Sequence, residues 1–137
     1  MSDNKVKILV VDDFEMVRVM LKNALNDLGF HNVEEAAHGK LALSMLLEAD
    51  VIGDPFGIVF CDWTMPEMTG IEVLETCRST DAFKDLPFVM VTAESEQESV
   101  VRAIKAGATD YLIKPISPEL LEKKVHKILS KLSSSAA

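Results

Sequence analysis

Five side chains able to bind a metal ion or contact a phosphate follow strand-like runs at distant places in the chain. Asp12 and Asp13 follow residues 6–11, Asp62 follows 58–61, Thr92 follows 87–91, and Lys114 follows 110–113. Short apolar runs that end at a turn signal are typical of strands buried on both faces of a parallel sheet. Because parallel sheets bind ligands at the carboxyl ends of their strands, we expect these side chains to meet at one rim.

Three carboxylates at one rim repel one another, and this repulsion either raises a pKa or is relieved by a hard cation. Oxygen ligands without His or Cys favour Mg²⁺, which keeps several waters and accepts one or two carboxylates together with a phosphate. A carboxylate beside Mg²⁺, Lys and Thr can attack phosphorus, because the cations stabilise charge on the equatorial oxygens. The residue types therefore indicate phosphoryl chemistry at Asp62, with Lys114 as a compact point charge.

Each of these residues could also have a purely structural role. Asp62 and Asp13 could cap helices, Lys114 could be a solvated surface charge, and Thr92 could belong to a turn at the end of a strand. Every one of these roles is reasonable for a single residue. The coincidence of all the residues at strand ends favours a functional site.

The apolar pattern alternates between strand and helix five times. The predicted strands are residues 6–11, 32–36, 58–62, 87–92 and 110–113, and the predicted helices are 14–28, 40–49, 70–79, 95–106 and 118–132. We predict a loop at 50–57, and Ser95 and Glu98 have the spacing of a capping box. This alternation predicts right-handed crossovers and an α/β fold, a doubly wound parallel sheet with helices on both faces.

The length of 137 residues predicts a single domain, with a core at about 6–132 and a disordered tail at 133–137. A net charge of −8 argues against nucleic acid or an anionic membrane as partner. The two cysteines form no disulfide framework, and no apolar run has the length of a signal peptide or a membrane span. We expect a cytoplasmic monomer.

The chain resembles the receiver domains of two-component response regulators from about residue 7 to residue 132. The resemblance rests on the acids at 12 and 13, the segment Asp62-x-x-Met65-Pro66-x-Met68-x-Gly70, and the pairs Thr92-Ala93 and Lys114-Pro115. The pairs Asp13-Phe14, Gly29-Phe30 and Asp62-Trp63 are similar to those of the single-domain chemotaxis regulators within this family. The resemblance implies a flavodoxin-like (βα)5 fold with strand order 2-1-3-4-5.

The resemblance also implies how phosphate and metal are held. Asp62 would accept a phosphoryl group from a phosphohistidine on a kinase. Asp12, Asp13, Asp62 and the backbone carbonyl of Thr64 would bind Mg²⁺. The peptide bond between Lys114 and Pro115 would be cis, as it is in this family.

The remaining implied roles concern the response to phosphorylation. Lys114 and the Thr92 hydroxyl would contact the phosphoryl oxygens. Thr92 and Tyr111 would form a switch that alters the face made by the fourth helix, the fifth strand and the fifth helix. Thr64 and Glu94 would tune dephosphorylation.

The implied function is that of a signalling receiver, which catalyses only its own phosphotransfer and slow autodephosphorylation and is not otherwise an enzyme. Its partners would be a histidine kinase and a flagellar switch protein or another downstream protein. Three features depart from the chemotaxis regulators: a longer segment at 51–55, Thr64 in place of Asn, and Glu96 and Gln97 in place of lysines that dock partners.

Three alternatives compete with this interpretation. A Mg²⁺-dependent phosphatase of the haloacid-dehalogenase kind would need a second Asp two residues after the nucleophile, where Thr64 stands. A nucleotide-binding module would need a Gly-rich loop after the first strand, where Asp12-Asp13-Phe14 stands. Within the receiver family, a phosphorelay intermediate stays an alternative to chemotaxis. We expect no output domain, because the chain ends close to the end of the fifth predicted helix.

Overall fold

A computed structural model describes residues 5–93 and 97–136. The strands are β1 (Ile8–Val11), β2 (Val33–Ala36), β3 (Ile58–Asp62), β4 (Phe88–Thr92) and β5 (Asp110–Ile113). The helices are α1 (Glu15–Asp27), α2 (Gly39–Val51), α3 (Gly70–Arg78), α4 (Gln97–Lys105) and α5 (Pro118–Ala136), with a short 3-10 helix at Asp81–Phe83. The predicted alternation of strand and helix is therefore confirmed.

The five strands form one parallel sheet in the order β2-β1-β3-β4-β5, as predicted. β2, the least apolar of the predicted strands, lies at an edge. The chain leaves β1 toward one side of the sheet and β3 toward the other, so the strand order reverses between them. A crevice opens at the carboxyl ends of strands at such a reversal, which is where Asp12 and Asp62 lie.

The sheet is covered on both faces, which explains the uninterrupted apolar runs. Side chains alternate along β1, so that Ile8 and Val10 face one layer while Leu9 and Val11 face the other. The first layer contains Leu21 and Leu25 of α1 with Leu121, Val125, Ile128 and Leu129 of α5. The second contains Ala42 and Leu46 of α2, Val73, Leu74 and Cys77 of α3, and Ala103 of α4.

Helix α2 differs from its predicted bounds because it includes Asp50 and Val51, which were predicted as loop. Its N-terminus is capped by His38, whose Nδ1 accepts a hydrogen bond from the Leu41 N–H at 3.1 Å. The helix-breaking residues at 53–55 therefore end the helix about half a turn later than predicted, after Val51 instead of residue 49. The loop that remains is held by Lys7, whose ammonium contacts the Asp54 carboxylate at 3.2 Å.

The ends of the chain's other helices also differ from expectation. α5 continues to Ala136, through Ser133, Ser134 and Ser135, which were predicted to belong to a disordered tail. The capping box predicted at Ser95 lies outside the residues that the structure describes, whereas Thr69 and Glu72 form one at α3. Over the same described residues, no helix is both long and apolar enough to cross a membrane.

Candidate functional site

The carboxyl ends of the strands bring four of the predicted residues into one buried pocket. Asp12 directly follows β1, Asp62 ends β3, Thr92 ends β4, and Lys114 directly follows β5. Asp12, Asp62 and Thr92 are buried polar residues, and the Thr92 carbonyl accepts a hydrogen bond from the Lys114 backbone N–H at 2.8 Å. The Lys114–Pro115 peptide bond is cis.

The Lys114 side chain joins two of the carboxylates. Its ammonium donates to Asp12 Oδ2 at 3.0 Å and to Asp62 Oδ1 at 3.1 Å. These residues are separated by 102 and 52 positions in the chain, so only the fold makes the contacts possible. The Lys114 ammonium therefore contacts two of the three carboxylates at this rim.

Asp12 is held in a fixed orientation by contacts on both sides. Its Oδ1 accepts from the Phe14 backbone N–H at 2.9 Å, and its carbonyl accepts from Arg18 Nη1 at 2.7 Å. Arg18 is positioned in turn by Glu35 of β2, which accepts from its Nε at 3.1 Å. Arg18 and Glu35 were not predicted from the sequence, because neither follows a strand and no fixed spacing connects them to Asp12.

Asp13 completes an oxygen-rich cluster. Asp12, Asp13 and Asp62 each offer one carboxylate oxygen, and these oxygens lie within 4.8 Å of one another. Asp13 Oδ1 is buried without a hydrogen-bond donor among the residues described. A buried acceptor of this kind loses its hydration without compensation unless a cation or water replaces it. The donor set and the unsatisfied oxygen therefore fit a hard divalent cation such as Mg²⁺.

The electrostatics of the pocket shift the pKa values of Asp62 and Lys114. Burial raises the pKa of Asp62, the charge on Asp12 raises it further, and the hydrogen bond from Lys114 offsets part of this shift. Burial alone would lower the pKa of Lys114, but its bonds to Asp12 and Asp62 raise the pKa instead. Lys114 therefore remains an ammonium, whereas the ionised form of Asp62 is destabilised relative to its protonated form.

The loop after β3 is shaped by its contact with the backbone of Asp62. The Trp63 carbonyl accepts from the Gly70 N–H at 2.9 Å, and the Trp63 N–H donates to the Val91 carbonyl at 2.8 Å. A side chain at Gly70 would collide with the Asp62 carbonyl oxygen, so this position requires glycine. Glu67 turns the loop with a φ of 67°. The segment at 62–70 therefore combines the acceptor residue with the turn that fixes it.

The two remaining side chains of the predicted site lie at different depths. Thr64 is exposed two residues after Asp62, in the loop that follows β3. Tyr111 is half-buried on β5, where the Lys124 ammonium lies 4.6 Å from its ring centroid. The predicted tuning residue Glu94 lies outside the described residues.

Trp63, also half-buried, has the Arg102 guanidinium of α4 at 5.9 Å from its ring centroid.

A cavity of about 570 Å³ beside the pocket was not predicted. It lies between α1 and the segment after β5, and Val17, Met20, Lys114 and Ile116 are among its lining residues. The helical spacing places Met20 on the apolar face of α1, yet its side chain is exposed. Helical spacing identifies the apolar face of α1, but it does not show which part of that face neighbouring elements cover.

Comparison with known proteins agrees with this geometry. The family model described as "Response regulator receiver domain" matches residues 8–126. The chain is 42% identical over 130 residues to chemotaxis protein CheY-3 of Vibrio cholerae, covering 95% of this chain and 96% of that protein. It is 41% identical over 128 residues to chemotaxis protein CheY of Pseudomonas aeruginosa, covering 93% of this chain and 99% of that protein.

Solved structures agree as well. The structure of chemotaxis protein CheY4 of Vibrio cholerae is similar with a TM-score of 0.80 and 35% identity, covering 90% of this chain and 98% of that chain. A putative response regulator from Chloroflexus aurantiacus is similar with a TM-score of 0.83 and 32% identity, covering 92% of this chain and 98% of that chain. With the fold, the strand-end pocket and the match over residues 8–126, the chain belongs to the response regulator receiver domain family.

Proposed function

We propose that the protein is a phosphorylation-activated response regulator of a two-component system, with Asp62 as phosphoacceptor. The observation that carries this proposal is the Lys114 ammonium between Asp62 and Asp12, at 3.1 Å and 3.0 Å, at the ends of two neighbouring buried strands. A phosphodonor here would meet a carboxylate nucleophile with a fixed cation beside it. Such a cation acts where negative charge increases on the transferred group.

In the proposed reaction, an Asp62 carboxylate oxygen attacks the phosphorus of a phosphohistidine on a kinase. The new O–P bond forms while the P–N bond breaks, and the imidazole leaves with the electron pair of that bond. Lys114 would bind the phosphoryl oxygens, and so would the hydroxyl of Thr92, which is buried beside Lys114. Attack by water on the phosphorus of the acyl phosphate would then break the O–P bond, release inorganic phosphate and restore the Asp62 carboxylate, at a rate tuned by Thr64 and Glu94.

We propose that Mg²⁺ is held by Asp12, Asp13 and Asp62, with the Thr64 backbone carbonyl as a further ligand. The cluster of carboxylate oxygens and the unsatisfied Asp13 Oδ1 support this assignment. When bound, the ion would neutralise the carboxylates and the charge that develops on the phosphoryl group. Arg18 keeps Asp12 turned toward the cluster through its bond to the Asp12 carbonyl.

The proposed biological role is in chemotaxis, because relatives at 41–42% identity are chemotaxis proteins. A CheA-like histidine kinase would be the donor, and a flagellar switch protein would bind the face formed by α4, β5 and α5. Exposed Phe14 and Met16 beside the pocket offer apolar surface to a donor protein. A phosphorelay intermediate, which passes the phosphoryl group to another histidine protein, is the second candidate.

Phosphorylation by a small-molecule donor tests the proposed acceptor. We expect acetyl phosphate with Mg²⁺ to produce an acid-stable, base-labile acyl phosphate that maps to Asp62 by mass spectrometry. Chelation of Mg²⁺ is expected to lower the labelling at least about tenfold, because the cluster then lacks its neutralising charge. Labelling at His31, His38 or His126 would contradict the proposed function.

The matched variants for this test are Asp13→Asn and Asp27→Asn. Both remove one negative charge, but only Asp13 belongs to the oxygen cluster, whereas Asp27 is exposed at the end of α1. Mg²⁺ at ten times its Kd is expected to stabilise the wild type by about 1.4 kcal/mol in thermal unfolding. Asp13→Asn should lose this response and Asp27→Asn should keep it.

We propose that phosphorylation reaches the output face through Thr92 and Tyr111. Thr92 and Met90 project to the same side of β4, and Tyr111 is paired with Met90 and packs against the same apolar layer. A phosphoryl group on Asp62 would draw the Thr92 hydroxyl toward it and free space for the Tyr111 ring. A ligand shifts such an equilibrium only through contacts that differ between the two states, and this hydrogen bond is one.

Lys124 should oppose this movement, because it holds the Tyr111 ring in its present position. Its ammonium lies over the ring and is anchored by Asp110 Oδ1 at 2.6 Å. A cation–π contact of about 0.5–1 kcal/mol would be lost when the ring rotates away. Lys124→Met is therefore expected to bind beryllofluoride, a phosphoryl mimic, about two- to fivefold more tightly in a titration followed by Tyr111 NMR.

Lys123→Met is the matched control, since Lys123 is an exposed neighbour on the same helix. Its affinity for beryllofluoride should equal that of the wild type. Unchanged or weaker binding by Lys124→Met would show that the contact does not restrain the switch.

A further inference from the structure

An apolar patch lies at the end of α2, far from the phosphorylation pocket in the fold. The patch consists of Leu47, Val51 and Ile52, whose side chains are 52%, 83% and 67% exposed. Leu47 and Val51 are four residues apart on a helix and so share one face, and Ile52 is the residue that caps it. Packing of the core does not require three large apolar side chains to be exposed together at the end of this helix.

Two cavities adjoin this patch and share Phe56 as a common wall. The first, of about 350 Å³, is lined by Asp50, Pro55, Phe56, Asp81, Phe83 and Asp85 among others. The second, of about 210 Å³, is lined by Lys7, Glu34, Met45, Glu48, Ile52 and Phe56 among others. Together they form a groove next to the patch, in which the first cavity is mainly apolar and the second is mainly polar.

The charges around the groove are mainly negative. Its exposed acids are Glu34, Glu48, Asp50, Asp54, Asp81 and Asp85. Lys84 is an exposed cation that lies in the chain between Phe83 and Asp85, two residues that line the first cavity. Lys7 is buried against Asp54 and Glu34, and half-buried Arg78 donates to the carbonyls of Gly107 and Phe83. Among the described residues that line the two cavities, five exposed acids therefore accompany a single cation, Lys7.

The groove lies at the opposite end of the sheet from Asp62. Lys7, Gly57 and Pro87, which line the cavities, each directly precede a strand, whereas Asp62 is the last residue of β3. β3 has five residues, so at about 3.3 Å per residue the two sites are separated by its full length. Occupation of the groove would not block access to the phosphoacceptor.

We propose that this groove and the patch beside it form a docking site for a basic, amphipathic segment of a partner protein. Apolar side chains of that segment would cover Val51 and Ile52, and its Lys or Arg side chains would meet the acidic rim. A second copy of this chain placed with the same surface would set acids against acids. An anionic membrane surface would be repelled for the same reason. Binding would be independent of the phosphorylation state of Asp62.

A displayed library of random 16-residue peptides, sorted against the wild-type protein, tests this proposal. Enriched peptides are expected to combine apolar residues with an excess of Lys and Arg. A synthesised winner should bind Val51→Ser at least about tenfold more weakly, because the variant removes a hydrophobic anchor from the centre of the interface. Its affinity should also fall with added salt. The double variant Asp81→Asn/Asp85→Asn should reduce that salt dependence.

Two controls show whether the peptide binds at this groove. Val19→Ser changes an exposed valine on α1 and should bind the peptide like the wild type. Beryllofluoride should leave the affinity unchanged, and this result does not depend on whether Asp62 is phosphorylated in cells. Winners without basic residues, or equal binding to Val51→Ser, would overturn the proposal. Self-association abolished by Val51→Ser in sedimentation, or binding to phosphatidylserine vesicles, would overturn it in favour of those occupants.

Discussion

Replacing Asp62 by asparagine is expected to abolish phosphorylation and to stabilise the folded protein. The amide cannot act as the nucleophile, so labelling by acetyl phosphate should fall at least about 100-fold. Lys114 can still donate to the amide oxygen and to Asp12, so the pocket keeps its hydrogen bonds. The substitution removes a negative charge that destabilises the folded state, because burial and Asp12 raise the pKa of Asp62.

The gain in stability should depend on pH. Because the pKa of Asp62 is raised from its ordinary 3.8, the folded state binds this proton more tightly than the unfolded chain. Protonation therefore contributes stability that is complete below pH 3.8 and lost as pH rises through the folded pKa. Asp62→Asn avoids this loss and should be more stable at neutral pH. We expect a gain on the order of 1 kcal/mol, because burial and the charge on Asp12 destabilise the carboxylate and Lys114 offsets only part of that cost.

Mass spectrometry after acetyl phosphate treatment measures the labelling, and urea unfolding at several pH values measures the stability. Asp27→Asn, which removes an exposed charge away from the oxygen cluster, should change neither labelling nor the pH dependence. Normal labelling of Asp62→Asn would remove Asp62 from the proposed reaction. If the variant is less stable than the wild type at neutral pH, the ionised Asp62 does not destabilise the folded protein.

Replacing Gly70 by alanine is expected to destabilise the fold by at least about 3 kcal/mol, the upper end of the usual cost of overpacking. A Cβ at this position would overlap the Asp62 carbonyl oxygen and lie 3.0 Å from the Met90 Sδ. Met90 could move, but the Asp62 carbonyl belongs to the backbone of the central strand. The change should also displace Asp62 and lower its phosphorylation by acetyl phosphate.

Gly53→Ala separates this steric effect from the ordinary cost of replacing glycine. Gly53 has a φ of 81° and nothing within 4 Å of an added Cβ, so only the backbone conformation is penalised. We expect a loss of about 1 kcal/mol there and normal labelling. Equal destabilisation by the two variants in urea unfolding would contradict the proposed collision at Gly70.

The sequence by itself determined the number and order of the strands and main helices, and it identified the strand-end residues Asp12, Asp62, Thr92 and Lys114. Uninterrupted apolar runs such as 58–61 predict strands buried on both faces, and side chains that follow such runs must lie at one rim of a parallel sheet. Asp12 and Asp62 could therefore be predicted to meet although they are 50 positions apart. The local capping of α2 by His38 had no comparable pattern and was missed.

Only the tertiary structure decided which groups touch and which charges remain unbalanced. Lys114 contacts Asp12 and Asp62, while Asp13 Oδ1 is left without a donor among the described residues, and no spacing in the chain distinguishes these acids. Helical spacing places Met20 on an apolar face, yet whether a neighbouring element covers it depends on long-range packing. Local pattern sets the periodicity of side chains, whereas burial, pKa and contact depend on distant chain segments meeting in space.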